Sequence, residues 1–329
     1  MSDEARVITA LDGRLGRITL NRPRAINAVS HDMLAPIAAA LAAFGADPTV
    51  AAVLIDGAGE RGFCAGGDIR AIYESLLAGT SAAVDYWRDE YAVNLAIARF
   101  PKPYIAIMDG LTLGGGVGLS SHGSVRIVTE RSLVGLTQVN IGFVPDIGGS
   151  YLLARSPGRL GYYAALTAAQ LGPADAILCG LADVCIASAD IAAAVGAVRA
   201  AAGARCDIRA AVDTYAIEPP PGTLAEAQPW IDTAFSAPTV AGIIDALRAR
   251  PEPAAHATAE LLGAKSPTAL RLTLELLSAG GRRTLEEALA AELEVARALA
   301  TGHDLREGIR AQVIDKDRNP HWDPAALTR

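Results

Sequence analysis

The sequence predicts a mixed α/β fold whose last third is mainly helical. Three observations carry that expectation. Between residues 50 and 136, short apolar runs closed by glycine alternate with stretches of helical period. Ahead of them, RVITALDGRLGRITLNRP reads as a hairpin, which argues against a purely parallel sheet. After Ile147 the apolar stripes repeat at helical spacing.

The elements follow in order. Val7 to Leu11 is one strand, Asp12-Gly13 the turn, and Arg17 to Leu20 the return strand, ended by Pro23. A helix begins at Ser30, a good capping residue, with Met33, Leu34, Ile37, Leu41 and Phe44 as its apolar stripe. VAAVLIDGAG is a buried strand, RGFCAGGDIRAIYE a turn feeding a helix, and Ala82 to Arg99 a second helix stopped by Pro101 and Pro103. YIAIMDG is another buried strand, and LTLGGGVGLSSHG reads as a glycine-rich loop. Val125 to Thr129 and Leu133 to Leu136 are two further strands. Pro219, Pro220 and Pro221 mark an exposed excursion near 213–229. It separates a core over residues 1–210 from a mainly helical region over 211–329. Thr284 and Glu287 form a capping-box pattern, and Leu285, Leu289, Leu293, Ala296 and Leu299 a stripe behind it. That stripe is either a packing face within the chain or an oligomer surface.

Composition narrows the function. A net charge of -7 lacks the basic footprint of a nucleic-acid surface. No apolar run reaches the length of a membrane span. MSDEARVITA has no basic leader, and the four cysteines form no CxxC pair, so a reducing cytoplasm is expected. The histidines show no ligand spacing, so no metal is expected. No G-x-S-x-G elbow or Gly-Lys-Ser/Thr loop occurs.

Two glycine runs remain, FCAGGD (63–68) and LGGGVG (113–118). Backbone without Cβ atoms can aim N–H groups at one point, and two such groups can hold an oxyanion. Each run alone also fits an ordinary tight turn. Downstream, Asp146 follows Pro145 in a sequence equally suited to turn chemistry. Gln138 is either a structural amide or a site residue. Glu90 lies beside Arg88 and Asp89, and only one of the three need face inward. Cys64 and His122 read as packing residues, and His31 as a solvent-facing one.

NRPRAINAVS, GFCAGGDIR, KPYIAIMDGLTLGGGVGLSSHG and IGFVPDIGGS resemble the enoyl-CoA hydratase/isomerase (crotonase) superfamily, and within it the 3-hydroxyisobutyryl-CoA hydrolase branch. WRDEY, LARSPGRLGYYAALT, KSPTAL and GHDLREGIRAQVIDKDRNPHW extend the likeness over residues 6–326. The resemblance implies a ClpP/crotonase-like spiral of ββα units with a helical C-terminal region. It implies that Gly67 and Gly115, flanked by Gly66 and Gly114, supply two oxyanion N–H groups. It places Glu90 at the border of the acyl pocket and makes Asp146 the principal carboxylate. Gly118 stands where hydratases of the superfamily carry a glutamate. Gln138 stands where the hydrolase branch has one, so here an amide replaces a carboxylate. Coenzyme A is expected as part of a thioester substrate, with no prosthetic group. Arg22 and Arg24 are the expected phosphate contacts, and Ala65, Asp68 and Ile69 the expected adenine contacts. The implied reaction is hydrolysis of a short branched β-hydroxyacyl-CoA, as in valine catabolism. Two other readings stand beside it: a hydratase, isomerase or other CoA-thioester reaction, and an acyl-CoA-binding protein with little catalysis. Relatives often form homo-oligomers.

Overall fold

The computed structural model describes residues 5–323; the first four residues and the last six of the charged tail lie outside the described part. Strand β1 (Val7–Asp12) pairs antiparallel with β2 (Leu15–Leu20). Asp12 faces Leu15 across the pair, so the turn residues are Gly13 and Arg14, one place later than the sequence reading. Helix α1 (His31–Ala46) buries Met33, Leu34, Ile37, Ala40 and Leu41. Ser30 stands at its N-cap position, but the hydroxyl donates to Asp32 instead of accepting from the helix backbone.

Strand β3 (Ala52–Gly57) lies parallel to β2. Two helices follow, α2 (Ile69–Ala78) and α3 (Ala82–Ala98), and then β4 (Tyr104–Met108) parallel to β3. The stretch read as a glycine loop is a short strand, β5 (Leu111–Leu113), running into helix α4 (Gly115–Ser120). Every residue of α4 is buried, so close packing outweighs the poor helix propensity of glycine. Strand β6 (Val125–Thr129) joins β4, and β7 (Leu133–Gly135) pairs with β5 in a small second sheet.

Three short helices, α5 (Gly149–Leu153), α6 (Leu160–Thr167) and α7 (Pro173–Leu178), precede β8 (Val184–Ile186). Strand β8 has only three residues, too few for a period-2 signal, and it completes the main sheet in the order β1-β2-β3-β4-β6-β8. The rest is helical: α8 (Ile191–Ala204), α9 (Ile208–Asp213), α10 (Leu224–Ala234), α11 (Val240–Arg248), α12 (Pro253–Gly263), α13 (Pro267–Gly280), α14 (Leu285–Ala300) and α15 (His303–Ile309). A single π turn, Arg310–Ile314, continues α15.

Period-2 alternation assigns the two faces of the main sheet. Leu54, Ile105 and Ile127 pack on one face beneath α8 and α9. Val53, Ile55, Ala106 and Met108 face the larger core with α1 and α3. The proline stretch occupies residues 217–222, and α10 starts at Leu224, where Asp175 accepts from the N–H groups of Thr223 and Leu224. The capping box at Thr284 and Glu287 forms. The stripe behind it packs against α3 and is therefore used inside the chain. Among the described residues no helix is long and apolar enough to cross a membrane.

Candidate active site

The two glycine runs meet because short bridges pin them. Val29 pairs with Gly67, and Cys64 with Thr112, so the turn after β3 lies along the start of β5. Gly66 has φ 108°, and Gly114 has φ 48° with ψ -119°, conformations that side chains with a Cβ rarely adopt. A Cβ built on Gly115 would stand 3.4 Å from the Gly67 nitrogen. Among the described residues, neither the Gly67 N–H nor the Gly115 N–H has an acceptor. Two free amide donors thus lie side by side, and one opens helix α4, where the helix dipole is positive.

Helix α3 brings the first carboxylate. Its buried face runs through Tyr86, Trp87, Glu90, Tyr91 and Asn94. Of the three adjacent charges only Glu90 is buried; Arg88 is exposed and Asp89 half-buried. The same Gly115 Cβ would meet Glu90 Oε1 at 2.5 Å, so this carboxyl lies directly over the glycine pair. Tyr86, one helical turn before, donates to Glu90 Oε1 at 2.9 Å.

The second carboxylate is Asp146. Tyr91 donates to Oδ2 at 2.8 Å, and Gln138 Nε2 donates to Oδ1 at 2.8 Å. Gln138 opens a 3₁₀ turn, Gln138–Ile141, and is buried, but its Oε1 has no donor. Burial raises both carboxyl groups above the usual carboxylate range. At Glu90 the Asp146 charge adds to desolvation, and the Tyr86 hydrogen bond opposes. Two hydrogen bonds to the charged form hold Asp146 lower. Asp146 accepts two side-chain hydrogen bonds and Glu90 one, so a negative charge is better supported on Asp146.

Asp146 is aimed by a strained turn. Ile147, β-branched and fully buried, has φ 58°, at a cost of order 1–3 kcal/mol. The neighbours that hold it are polar. Glu292 of α14 accepts from the Gly148 and Ser150 N–H groups at 2.7 and 3.0 Å, and from the Ser150 hydroxyl at 2.5 Å. His122 Nε2 donates to the Ile147 carbonyl at 2.8 Å, and burial pushes its pKa down to about 4, so it is a neutral packing residue.

The glycine turns and the two carboxyl groups Glu90 and Asp146 line a cavity of about 230 Å³. Its walls include Ala65, Gly66, Gly67, Gly114, Gly115, Glu90, Gln138 and Asp146. Trp87 stacks on Phe143 at 4.9 Å, and Leu305, Ile309 and Val313 close the cavity from the far end of the chain. Helix α15 sits hard against the 138–141 turn: a Cβ on Gly308 would stand 2.3 Å from the Ile141 carbonyl. Tyr86, Tyr91 and the α15 residues were not singled out in the sequence. A helical wheel over YWRDEYAVN could have found the tyrosines, since Tyr86 and Glu90 are four residues apart.

The remaining candidates divide. Ile69 lines the cavity, and Asp68 caps α2 and pairs with Arg22 at 3.1 Å. Arg22 also donates to the Ala28 carbonyl. The exposed Arg24 side chain has no protein partner among the described residues. Cys64 is buried, with its thiol pushed up to about 12 by desolvation, so it packs rather than reacts. A Cβ on Gly118 would stand 2.7 Å from Asn94 Nδ2 and 3.0 Å from Ile147 Cβ, which leaves no room there for a glutamate. His31 is exposed and meets Asp89 at 2.8 Å. Among the described residues no group of three His, Cys, Asp or Glu side chains is placed to hold a metal.

With this geometry in place, comparison with known proteins gives concordant families and divergent activities. The sequence pattern of the enoyl-CoA hydratase/isomerase family matches residues 15–329. The mitochondrial 3-hydroxyisobutyryl-CoA hydrolase of Rattus norvegicus is 39% identical over 332 residues, covering 99% of this chain and 86% of its own. A solved carnitinyl-CoA dehydratase from Mycobacterium thermoresistibile is 47% identical with a TM-score of 0.93, covering 98% of this chain and 93% of that one. An enoyl-CoA hydratase from Rhodobacter sphaeroides 2.4.1 is 40% identical with a TM-score of 0.90, covering 98% and 96%.

Proposed function

The chain belongs to the enoyl-CoA hydratase/isomerase family, and from that premise we propose that it hydrolyses a short acyl-CoA thioester. One observation carries the proposal: two unclaimed glycine N–H groups and a buried aspartate line one small cavity.

The thioester carbonyl oxygen rests on the Gly67 and Gly115 N–H groups. Asp146 takes a proton from a water molecule, and the water oxygen attacks the carbonyl carbon. The carbonyl electron pair moves onto oxygen, where the two amides stabilise it, a contribution of about 3 kcal/mol per donor. Collapse restores the double bond and breaks the carbon–sulfur bond. The sulfur leaves with the proton that Asp146 carried, giving a carboxylic acid and the coenzyme A thiol. Glu90 borders this site. A charged carboxylate there would repel the oxyanion, and burial shifts Glu90 toward its neutral form.

The acyl group is small, because about 230 Å³ is below the range of about 300–1,000 Å³ typical of drug-sized ligands. A branched β-hydroxyacyl group of the 3-hydroxyisobutyryl kind fits that limit and matches the name of the rat relative. The same reading includes valine breakdown as the pathway and the cytoplasm as the compartment, where four unpaired cysteines stay reduced. The rat relative's own name places that protein in mitochondria. No prosthetic group takes part in the proposed steps.

Release of free thiol from a panel of short acyl-CoA esters tests the proposal. Equal rates for wild type and Asp146→Asn would remove Asp146 from the chemistry. Water addition or removal is a second reading, drawn from the names of the two solved relatives. The crowding at Gly118 opposes it. A change in enoyl-thioester absorbance with no thiol released would establish it instead, and binding with neither signal would establish an acyl-CoA-binding protein.

A further inference from the structure

Strand β1 ends the main sheet on one side, and its outer edge is bare. In an antiparallel pair, alternate residues turn both backbone groups toward the partner strand. Asn21 N–H donates to the Arg6 carbonyl at 2.7 Å, and the same register runs on to Asp12 and Leu15. Arg6, Ile8, Ala10 and Asp12 therefore bond to β2, and Val7, Thr9 and Leu11 turn their N–H and C=O groups outward. Those outward groups have no partner among the described residues. The opposite end of the sheet differs. There the Ile217 N–H donates to the Cys185 carbonyl at 2.9 Å and covers the edge of β8.

The β1 edge is also apolar and unguarded. Ile8 and Leu11 are 42% and 52% exposed, on opposite faces of the strand. Val7–Asp12 has no proline, no lysine and no bulge, the devices that keep edges from pairing.

We propose that this edge pairs with β1 of a second copy of this chain, antiparallel about a two-fold axis at Thr9, so that two six-stranded sheets join as one. The sequence suits its own reversal. Centred on Thr9, the pairing sets Thr9 against the partner's Thr9, and Val7 against the partner's Leu11. All three outward residues of each strand then exchange both backbone bonds. Sliding by two residues leaves one of the three without a counterpart in the strand. Ile8 covers the partner's Ala10, and Arg6 faces the partner's Asp12, an opposite-charge pair at each end. Within one chain Arg6 meets Asp32 and Asp12 meets Arg199, exposed pairs that hold these side chains weakly. A second copy is favoured over another protein's strand because register, backbone bonds and end charges all match at one offset.

Light scattering on a sizing column tests the pairing. Wild type at about 100 μM should run at twice 33.9 kDa and dissociate on dilution. Thr9→Lys leaves the bonds to β2 in place and sets two ammonium groups opposite each other at the axis. The dissociation constant should rise about 10-fold or more. Cross-linking reads the register, with the exposed Cys206 first replaced by serine. Thr9→Cys should give a disulfide-linked dimer. Leu11→Cys should not, because its two copies would stand about 14 Å apart along the strands. Hydrogen exchange needs no variant. Between about 1 and 100 μM the amides of Val7, Thr9 and Leu11 should gain about tenfold protection, and those of Ile8 and Ala10 should change little. A monomer at the higher concentration, or a dimer indifferent to every change at Thr9, overturns the proposal. A monomer that takes up an added apolar strand peptide at these amides assigns the edge to another protein and overturns it too.

Discussion

Two buried carboxylate sites lie on either side of Ile147, and they are built on opposite plans. Glu292 reaches in from α14 and accepts three hydrogen bonds, two from backbone amides and one from the Ser150 hydroxyl. It opens on no cavity described above. Asp146 and Glu90 together accept three from side chains, and both face the chamber. Burial raises the pKa of all three groups. Depth and titration therefore do not separate structural from chemical carboxylates here. The donors do: backbone amides already in use mark Glu292 as a fixture, and the free amides beside Glu90 and Asp146 support the proposed reaction site.

That contrast can be broken by mutation, beginning with the largest expected effect. Asp146→Asn should lower the rate of thiol release by about 10²–10⁴-fold, with a melting temperature within a few degrees of wild type. An unchanged rate would put Asp146 in the same class as Glu292. Gly115→Ala drives a methyl group into Glu90 Oε1 and should cost about 100-fold in kcat, read by the same assay. Glu292→Gln replaces two acceptor oxygens by one and leaves an amide facing a donor. It should destabilise the fold by about 1–3 kcal/mol in urea titration, while kcat changes less than tenfold.

Smaller effects sharpen the comparison. Tyr91→Phe removes a donor from the charged form of Asp146, which raises its pKa further. The acid limb of kcat/KM, which needs the ionised aspartate, should move to higher pH with a rate loss of about tenfold. Glu90 supplies the last test. Its folded pKa lies above its unfolded value, so the native state binds more protons between the two. The contribution of Glu90 to stability should be greatest below the ordinary glutamate range and should fall as pH rises toward the folded value. Glu90→Gln should flatten that slope in denaturation curves measured across the window.

What the sequence disclosed followed local physics. The hairpin, the extent of α3 and the Thr284–Glu287 box depend on neighbours a few residues apart, and each formed. The choice of Glu90 over Arg88 and Asp89 was narrowed but not decided, because it turns on the phase of one helix. The adjacency of Gly67 and Gly115 depends on bridges between residues tens of positions apart. Family resemblance suggested that adjacency; residue spacing alone could not. Helix α4 and strand β8 escaped because glycine content and three-residue length erase the local signal. The contribution of α15 was hidden for the same reason as the glycine adjacency, since nearly 170 residues separate it from the 138–141 turn.

That distance matters for synthesis. Leu305, Ile309 and Val313 form the far wall of the chamber, so the glycine amides stay open to solvent until that stretch has emerged and docked. The nascent protein can shape its sheet early, but it becomes a competent vessel only once residues 303–313 have been made. Premature stops just before His303 should yield chains that resemble the parent in circular dichroism yet hold no acyl group.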